Sequence, residues 1–162
     1  MKGVLLINLG SPEDLEISSI KKYLKEFLSD EYVLDLPKII RQFLVNFIIV
    51  PFRSPKTKEA YESIWTKNGS PLILNTKLIS KKLEKKIKKP VETSMRYQKP
   101  SIEVGLKNLI NKGCDEIIAV PLYPHYAQST SLTTELEVRR LINKINPGIS
   151  LTISPPFYNN SN

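Results

Sequence analysis

The stretch VPLYPHYAQSTSLTTELE, residues 120–137, gathers much of the chain's polar chemistry. It holds Tyr123, Tyr126, the single histidine His125, and hydroxyls at Ser129, Thr130, Ser131, Thr133 and Thr134. An imidazole among hydroxyls could act as a general base, as the partner of a nucleophile or as a metal ligand. Each role needs company. A Ser-His-Asp hydrolase of the α/β type carries a GxSxG elbow, and this sequence has none. A metal site needs more Cys or His than one imidazole, and no such partner is near in sequence. On chemistry alone, His125 reads as a polar loop residue. Two other short stretches join the candidate set: Arg96-Tyr97 and the turn Leu9-Gly10-Ser11. Guanidinium and hydroxyl groups suit a carboxylate or phosphate. Tyrosines suit a flat, partly apolar ligand. The competing readings make Arg96 a structural ion-pair partner and Tyr97 and Tyr123 core residues. GxGxxG and GxxxxGKS are both absent, so dinucleotide and Walker-type phosphate sites lack support.

The elements that must position these groups follow from apolar patterning. GVLLIN (3–8) is a short continuous apolar run and suits a strand buried on both faces. Ser11 as N-cap, Pro12 at the first helical position and Asp14 three residues on predict a helix through DLEISSIKKYLKEFLSD. LPKIIRQFLVNFIIVPF (36–52) is the most apolar stretch and predicts a helix, packed into a core or touching a bilayer interface. Pro55 and the Gly69-Ser70-Pro71 turn then bracket a short helix. NTKLISKKLEKKIKK predicts an amphipathic helix with Leu78, Ile79, Leu83 and Ile87 on one side. VETSM (91–95) predicts a strand, PSIEVGLKNLINKG a helix stopped by Gly113, DEIIAVPLYP a third strand, LTTELEVRRLINKIN a helix, and ISLTIS (149–154) a fourth strand. This alternation predicts an α/β fold: a four-stranded parallel sheet flanked by helices. In such sheets ligands bind beyond the carboxyl ends of the strands, which is where all three candidate stretches fall. Read as following adjacent strands, Arg96, Tyr97 and Tyr123 are expected together on one wall of an open cleft.

Composition narrows the classes. At 162 residues the chain is long enough for one ordinary domain, and 41% hydrophobic content supports a core. The net charge of +8 points either to an anionic partner or to a solvated lysine face. Seven lysines between Lys77 and Lys89 account for most of the excess. Cys114 is the only cysteine, so no internal disulfide forms, and KGCDE reads as a turn rather than a nucleophile site. No apolar run reaches the ~20 residues of a membrane-spanning helix. MKGVLLINLG has too short an apolar run for a signal peptide.

Five stretches in order resemble the ferrochelatase family: LLINLGSPED (5–14), FLSDEYVLDLP (27–37), RSPKTKEAYESIWTKNGSPL (53–72), SMRYQKPSIEVGL (94–106) and VPLYPHYAQST (120–130). The resemblance implies insertion of ferrous iron into protoporphyrin IX, the last step of haem biosynthesis. It implies a chelatase-like fold in which residues 1–162 are the N-terminal one of two similar α/β domains, the second absent from this chain. It carries over Leu9, Arg53, Tyr61, Ser70, Arg96, Tyr97, Tyr123, Ser129 and Thr130 as substrate-binding positions. Leu9 in NLGSPED, where no tyrosine stands, aligns the chain with members that use protoporphyrin rather than coproporphyrin. His125 occupies the variable position of the PLYPxY signature. The family's catalytic histidine, in an SAHS-like motif, and a later glutamate are expected beyond Asn162, so no catalytic residue and no metal ligand are assigned here. The implied partners are porphyrin, a C-terminal domain, and a membrane met peripherally through residues 27–52. Iron enters as substrate and no cofactor or nucleic acid is expected. The implied location is cytoplasmic, at the inner membrane. The isolated chain is expected to be inactive, and the alternative is a porphyrin- or haem-binding module or half of a split enzyme.

Overall fold

The computed structural model describes residues 1–158, in two compact units. One unit comprises Met1–Leu9, Asn75–Arg96 and the chain from Pro100 on; the other comprises Gly10–Leu74 and Tyr97–Lys99.

The first unit holds the sheet. Strands β1 (Lys2–Gly10), β2 (Val91–Tyr97), β3 (Glu116–Pro121) and β4 (Ser150–Ile153) form a four-stranded parallel sheet in the order β2-β1-β3-β4. Leu5 lies opposite Ala119, and Ile117 opposite Leu151. Successive side chains of β1 serve opposite faces. Leu5 and Ile7 pack with Leu106 and Leu109 of α5 (Ile102–Asn111) and with Val138 and Leu141 of α6 (Thr133–Ile145). Val4 and Leu6 meet Leu83 and Ile87 of α4 (Pro71–Ile87) on the other face. Gly105 lets α5 sit close: a Cβ there would lie 2.1 Å from the Ser94 hydroxyl and 2.7 Å from a Leu5 methyl. Ser101 caps α5, accepting from the Val104 N–H, and Gly113 at φ +82 ends its C-terminal turn. Cys114 is buried beside Gly3, and burial pushes its thiol pKa up.

The second unit is helical. It contains α1 (Ile17–Leu28) and a continuous helical run made of α2 (Lys38–Phe43), a π-helical stretch (Leu44–Ile49) and α3 (Val50–Glu62). Its buried residues include Ile20, Leu24, Val45 and Val50. Among the described residues, no helix is long and apolar enough to cross a membrane.

Three sequence expectations need correction. Helix α1 begins at Ile17, not after Ser11. Ser11 is buried, and Asp14 instead accepts the Glu16 N–H at 2.9 Å, a local side-chain bond that competes with helix. Pro55 does not bound a helix; it lies inside α3. The π-helical stretch just before Pro51 alters the bonding register, Ser54 donates to the Val50 carbonyl, and both prolines are exposed, where water can replace a lost bond. Helix α4 starts at Pro71, and its inward side carries Thr76, Ser80, Leu83 and Ile87 rather than Leu78 and Ile79.

Candidate functional site at the strand ends

In the sheet unit, β2 ends at Arg96 and Tyr97, and β3 ends at Pro121, just before Tyr123. These strands are not neighbours, contrary to the simplest reading of the sequence, because β1 lies between them. Arg96 nonetheless reaches α6. Its Nε and Nη2 both donate to the Thr133 hydroxyl, at 3.1 and 2.8 Å. Tyr123 is 8% exposed and its hydroxyl shares a 3.3 Å hydrogen bond with Thr134. Burial raises the Tyr123 pKa above its ordinary 10.0, against smaller opposing effects of the Thr134 bond and the Arg96 charge. Arg96, Tyr123, Thr133 and Thr134 thus form one polar cluster at the carboxyl end of the sheet. Ser129 and Thr130, half-exposed, sit in a π-helical turn (Gln128–Leu132) leading into α6. Leu9, also half-exposed, is the next-to-last residue of β1; the Asn8 side chain before it is held by Thr76 at 3.2 Å.

A cavity of about 240 Å³ opens beside this cluster, walled by Tyr123, Tyr126, Ser131, Ile153 and the Glu135–Arg139 ion pair. His125 is exposed and stacks on Tyr158, ring centroids 5.3 Å apart. Among the described residues, no three His, Cys, Asp or Glu side chains come together as a metal cage.

The helical unit holds the remaining candidates. Tyr97 is 1% exposed; its hydroxyl donates to Asp30 at 2.8 Å and its ring meets Phe27 edge-on at 5.3 Å. The core reading therefore describes Tyr97 in this conformation. The chain passes close here: Gly10 at φ +119 would place a Cβ 2.1 Å from the Tyr97 carbonyl oxygen. Tyr61 is half-buried and edge-on to Tyr23 at 6.1 Å, and burial raises its pKa above the ordinary value against a smaller opposing effect of the Tyr23 hydroxyl. Ser70 is buried, and its carbonyl accepts from Leu74. Arg53 is exposed on α3, next to Phe52 at 81% exposure. Phe52 continues a solvent-facing row of Ile39, Ile40, Phe43 and Phe47. Arg41, from the same helical run, is buried and donates to the Leu36 carbonyl at 2.8 Å, tying the preceding loop to the helix.

Sequence reasoning missed the partners that hold these groups: Thr133 under Arg96, Thr134 beside Tyr123, and Asp30 on Tyr97. Thr133 and Thr134 were visible as hydroxyls at the start of a helix. Nothing in the linear spacing pairs Asp30 with Tyr97.

The fold and strand-end groups define a parallel α/β chain with its ligand-type side chains at the carboxyl edge. A model of the ferrochelatase family matches residues 1–162. The ferrochelatase of Bdellovibrio bacteriovorus is 38% identical over 162 residues, covering 99% of this chain and 48% of that protein. Those of Stutzerimonas stutzeri and Opitutus terrae are 41% and 40% identical, over 97% and 99% of this chain and 46% and 47% of theirs. The chain belongs to the ferrochelatase family, and it spans about half the length of the curated relatives it matches.

Proposed function

We propose that this chain is the porphyrin-binding N-terminal portion of a ferrochelatase that inserts ferrous iron into protoporphyrin IX to make haem. The observation that carries the reading is the helical run 38–62, which exposes Phe43, Phe47 and Phe52 beside the cation Arg53. A porphyrin is an apolar disc edged with propionates. An apolar face takes the disc, and a guanidinium pairs with a carboxylate through two parallel bonds. In the sheet unit, the Arg96 guanidinium lies on the Thr133 hydroxyl, and the family resemblance makes it a carboxylate-binding position there. By the same resemblance, Tyr61, Ser70 and Tyr97 in the helical unit and Leu9, Tyr123, Ser129 and Thr130 in the sheet unit are taken as further substrate-binding positions, each within its own unit. Leu9 in place of a polar turn residue favours protoporphyrin over the more carboxylated coproporphyrin. The same apolar row also suits contact with a membrane, from which so greasy a substrate arrives.

Iron insertion exchanges two pyrrole protons for one ferrous ion, so a proton acceptor must face the ring centre. His125 stacks on Tyr158 at the surface, and among the described residues no three His, Cys, Asp or Glu side chains come together as a metal site. We assign the base and metal relay to the family's later histidine and glutamate, outside this sequence. The isolated chain then binds porphyrin and inserts iron slowly or not at all.

Titration of the chain with protoporphyrin IX, followed by Soret absorbance, tests this. A saturable shift, weakened by Arg53→Ala and Phe47→Ser and smaller with coproporphyrin, is the expected result. A folded chain that gives no shift overturns the reading. Rapid iron insertion by the 162 residues alone overturns the assignment of the base.

A further inference from the structure

The outer face of α4 plays no part in the groups described above. Its inner side is fixed: Thr76 and Ser80 are buried, and Leu83 and Ile87 pack against Val4, Leu6 and Val91. At about 100° per residue, the opposite side presents Leu78, Lys81, Lys82 and Lys85, with Lys86 and then Ile79 at its edge. Leu78 is 51% and Ile79 49% exposed. Lys77, Lys88 and Lys89 flank this face, and all seven lysines are exposed. Among the described residues, none of the seven forms an ion pair. Glu84, the only acid between Lys77 and Lys89, turns its carboxylate to the Val91 N–H at 3.3 Å. The patch is therefore cationic without local compensation, with the half-exposed Leu78 near its centre and Ile79 at its edge.

We propose that this face docks on an anionic lipid surface, independently of any porphyrin site. Lysine stems lie along an apolar layer while their ammonium groups reach the headgroups, and Leu78 and Ile79 enter the acyl boundary between them. Anionic lipid attracts such lysines individually, and the attraction adds over a cluster. A nucleic acid fits less well. The face has no arginine and no aromatic ring for base stacking, and a phosphate backbone offers no apolar layer for two aliphatics. A second copy fits worst, because two unpaired lysine rows would be brought together.

The test is cosedimentation of the chain with phosphatidylcholine vesicles made with and without phosphatidylglycerol. Binding is expected only with the anionic lipid, and it should be lost near ~1 M salt, where screening is strong. The triple variant Lys82→Gln/Lys85→Gln/Lys86→Gln should lower partitioning by about tenfold or more. Leu78→Ser/Ile79→Ser should weaken it while leaving all the charge in place. All five positions face solvent, so circular dichroism should show an unchanged fold. The protoporphyrin titration of the triple variant should match the parent's, so the two readings fail separately. Three results overturn the proposal: unchanged vesicle binding by the folded triple variant, loss of binding only when Phe43 and Phe47 are changed to Ser, or tighter binding to RNA than to vesicles with no effect of Leu78→Ser/Ile79→Ser. Lysine-dependent dimerisation in sedimentation equilibrium, with no vesicle binding, also overturns it.

Discussion

Tyr123 shows how one side chain ties the site to stability. Its ring is buried and its hydroxyl shares a hydrogen bond with Thr134. Burial disfavours the phenolate, so the folded pKa lies above 10.0. In the unfolded chain the phenol ionises near its ordinary value. The stabilisation is intact below pH 10.0 and is lost as the pH rises through the folded pKa. Urea melts of the parent should therefore show stability falling above that pH, and Tyr123→Phe should flatten part of the fall. An equally steep fall in the variant would remove the link. His125 makes the opposite case. It is exposed, rests on Tyr158, and occupies a loop rather than a closed site. His125→Gln in an enzyme completed with a family C-terminal portion should leave zinc insertion within about threefold, roughly 0.65 kcal/mol of barrier. A hundredfold loss with the fold intact would give the imidazole a chemical role.

Among the elements, the helical run 38–62 is the one whose surface runs against its stability. A row of large apolar side chains faces water: Ile39 at 85%, Phe47 at 68% and Phe52 at 81% exposure. Single exposed hydrophobes are ordinary, but a continuous row marks a surface used for contact. Because these side chains pack against little in the chain, Phe47→Ser combined with Phe52→Ser should change the free energy of unfolding by only about 0.5 kcal/mol per site. The same variant should bind porphyrin more weakly and show less self-association in light scattering. A large loss of stability would show that the row is core. The helix itself was legible from its composition, but its length was not. Proline normally reads as a stop, but the π-helical turn precedes Pro51, and both Pro51 and Pro55 are exposed, so water can replace the helix bond that Pro55 cannot make. Helix α4 was misread for a different reason. Leu78 and Ile79 are as apolar as Leu83 and Ile87, so hydropathy alone could not choose between faces. The small buried residues Thr76 and Ser80 mark the inward line.

Over the whole molecule, the class of fold was written plainly in the chain. Four apolar runs alternating with helices require a parallel sheet, and the strands fall where the runs are. The order of the strands was not written there, because hydropathy carries no information about which run lies beside which. That is why Arg96 and Tyr123 looked like products of adjacent strands although β1 separates β2 from β3. The candidate site residues stood in recognisable motifs, whereas the residues that contact them in the fold could not be read from the sequence. The carboxylate of Asp30 and the hydroxyl of Thr133 become partners only through the fold.

The sheet order also sets a timetable for the nascent chain. Of the four strands, β1 is made before the others and ends up in the interior of the sheet, between β2 and β3. Its partners begin only at Val91 and Glu116. Until they emerge, GVLLIN is an apolar segment with unpaired backbone edges on both sides, the kind that chaperones shelter and that aggregates recruit. The helical segment from Ile17 to Glu62 can form in the meantime from local contacts, while the sheet must wait for most of the sequence. Synthesis rate and chaperone supply should therefore govern the soluble yield of this chain more than its final stability does.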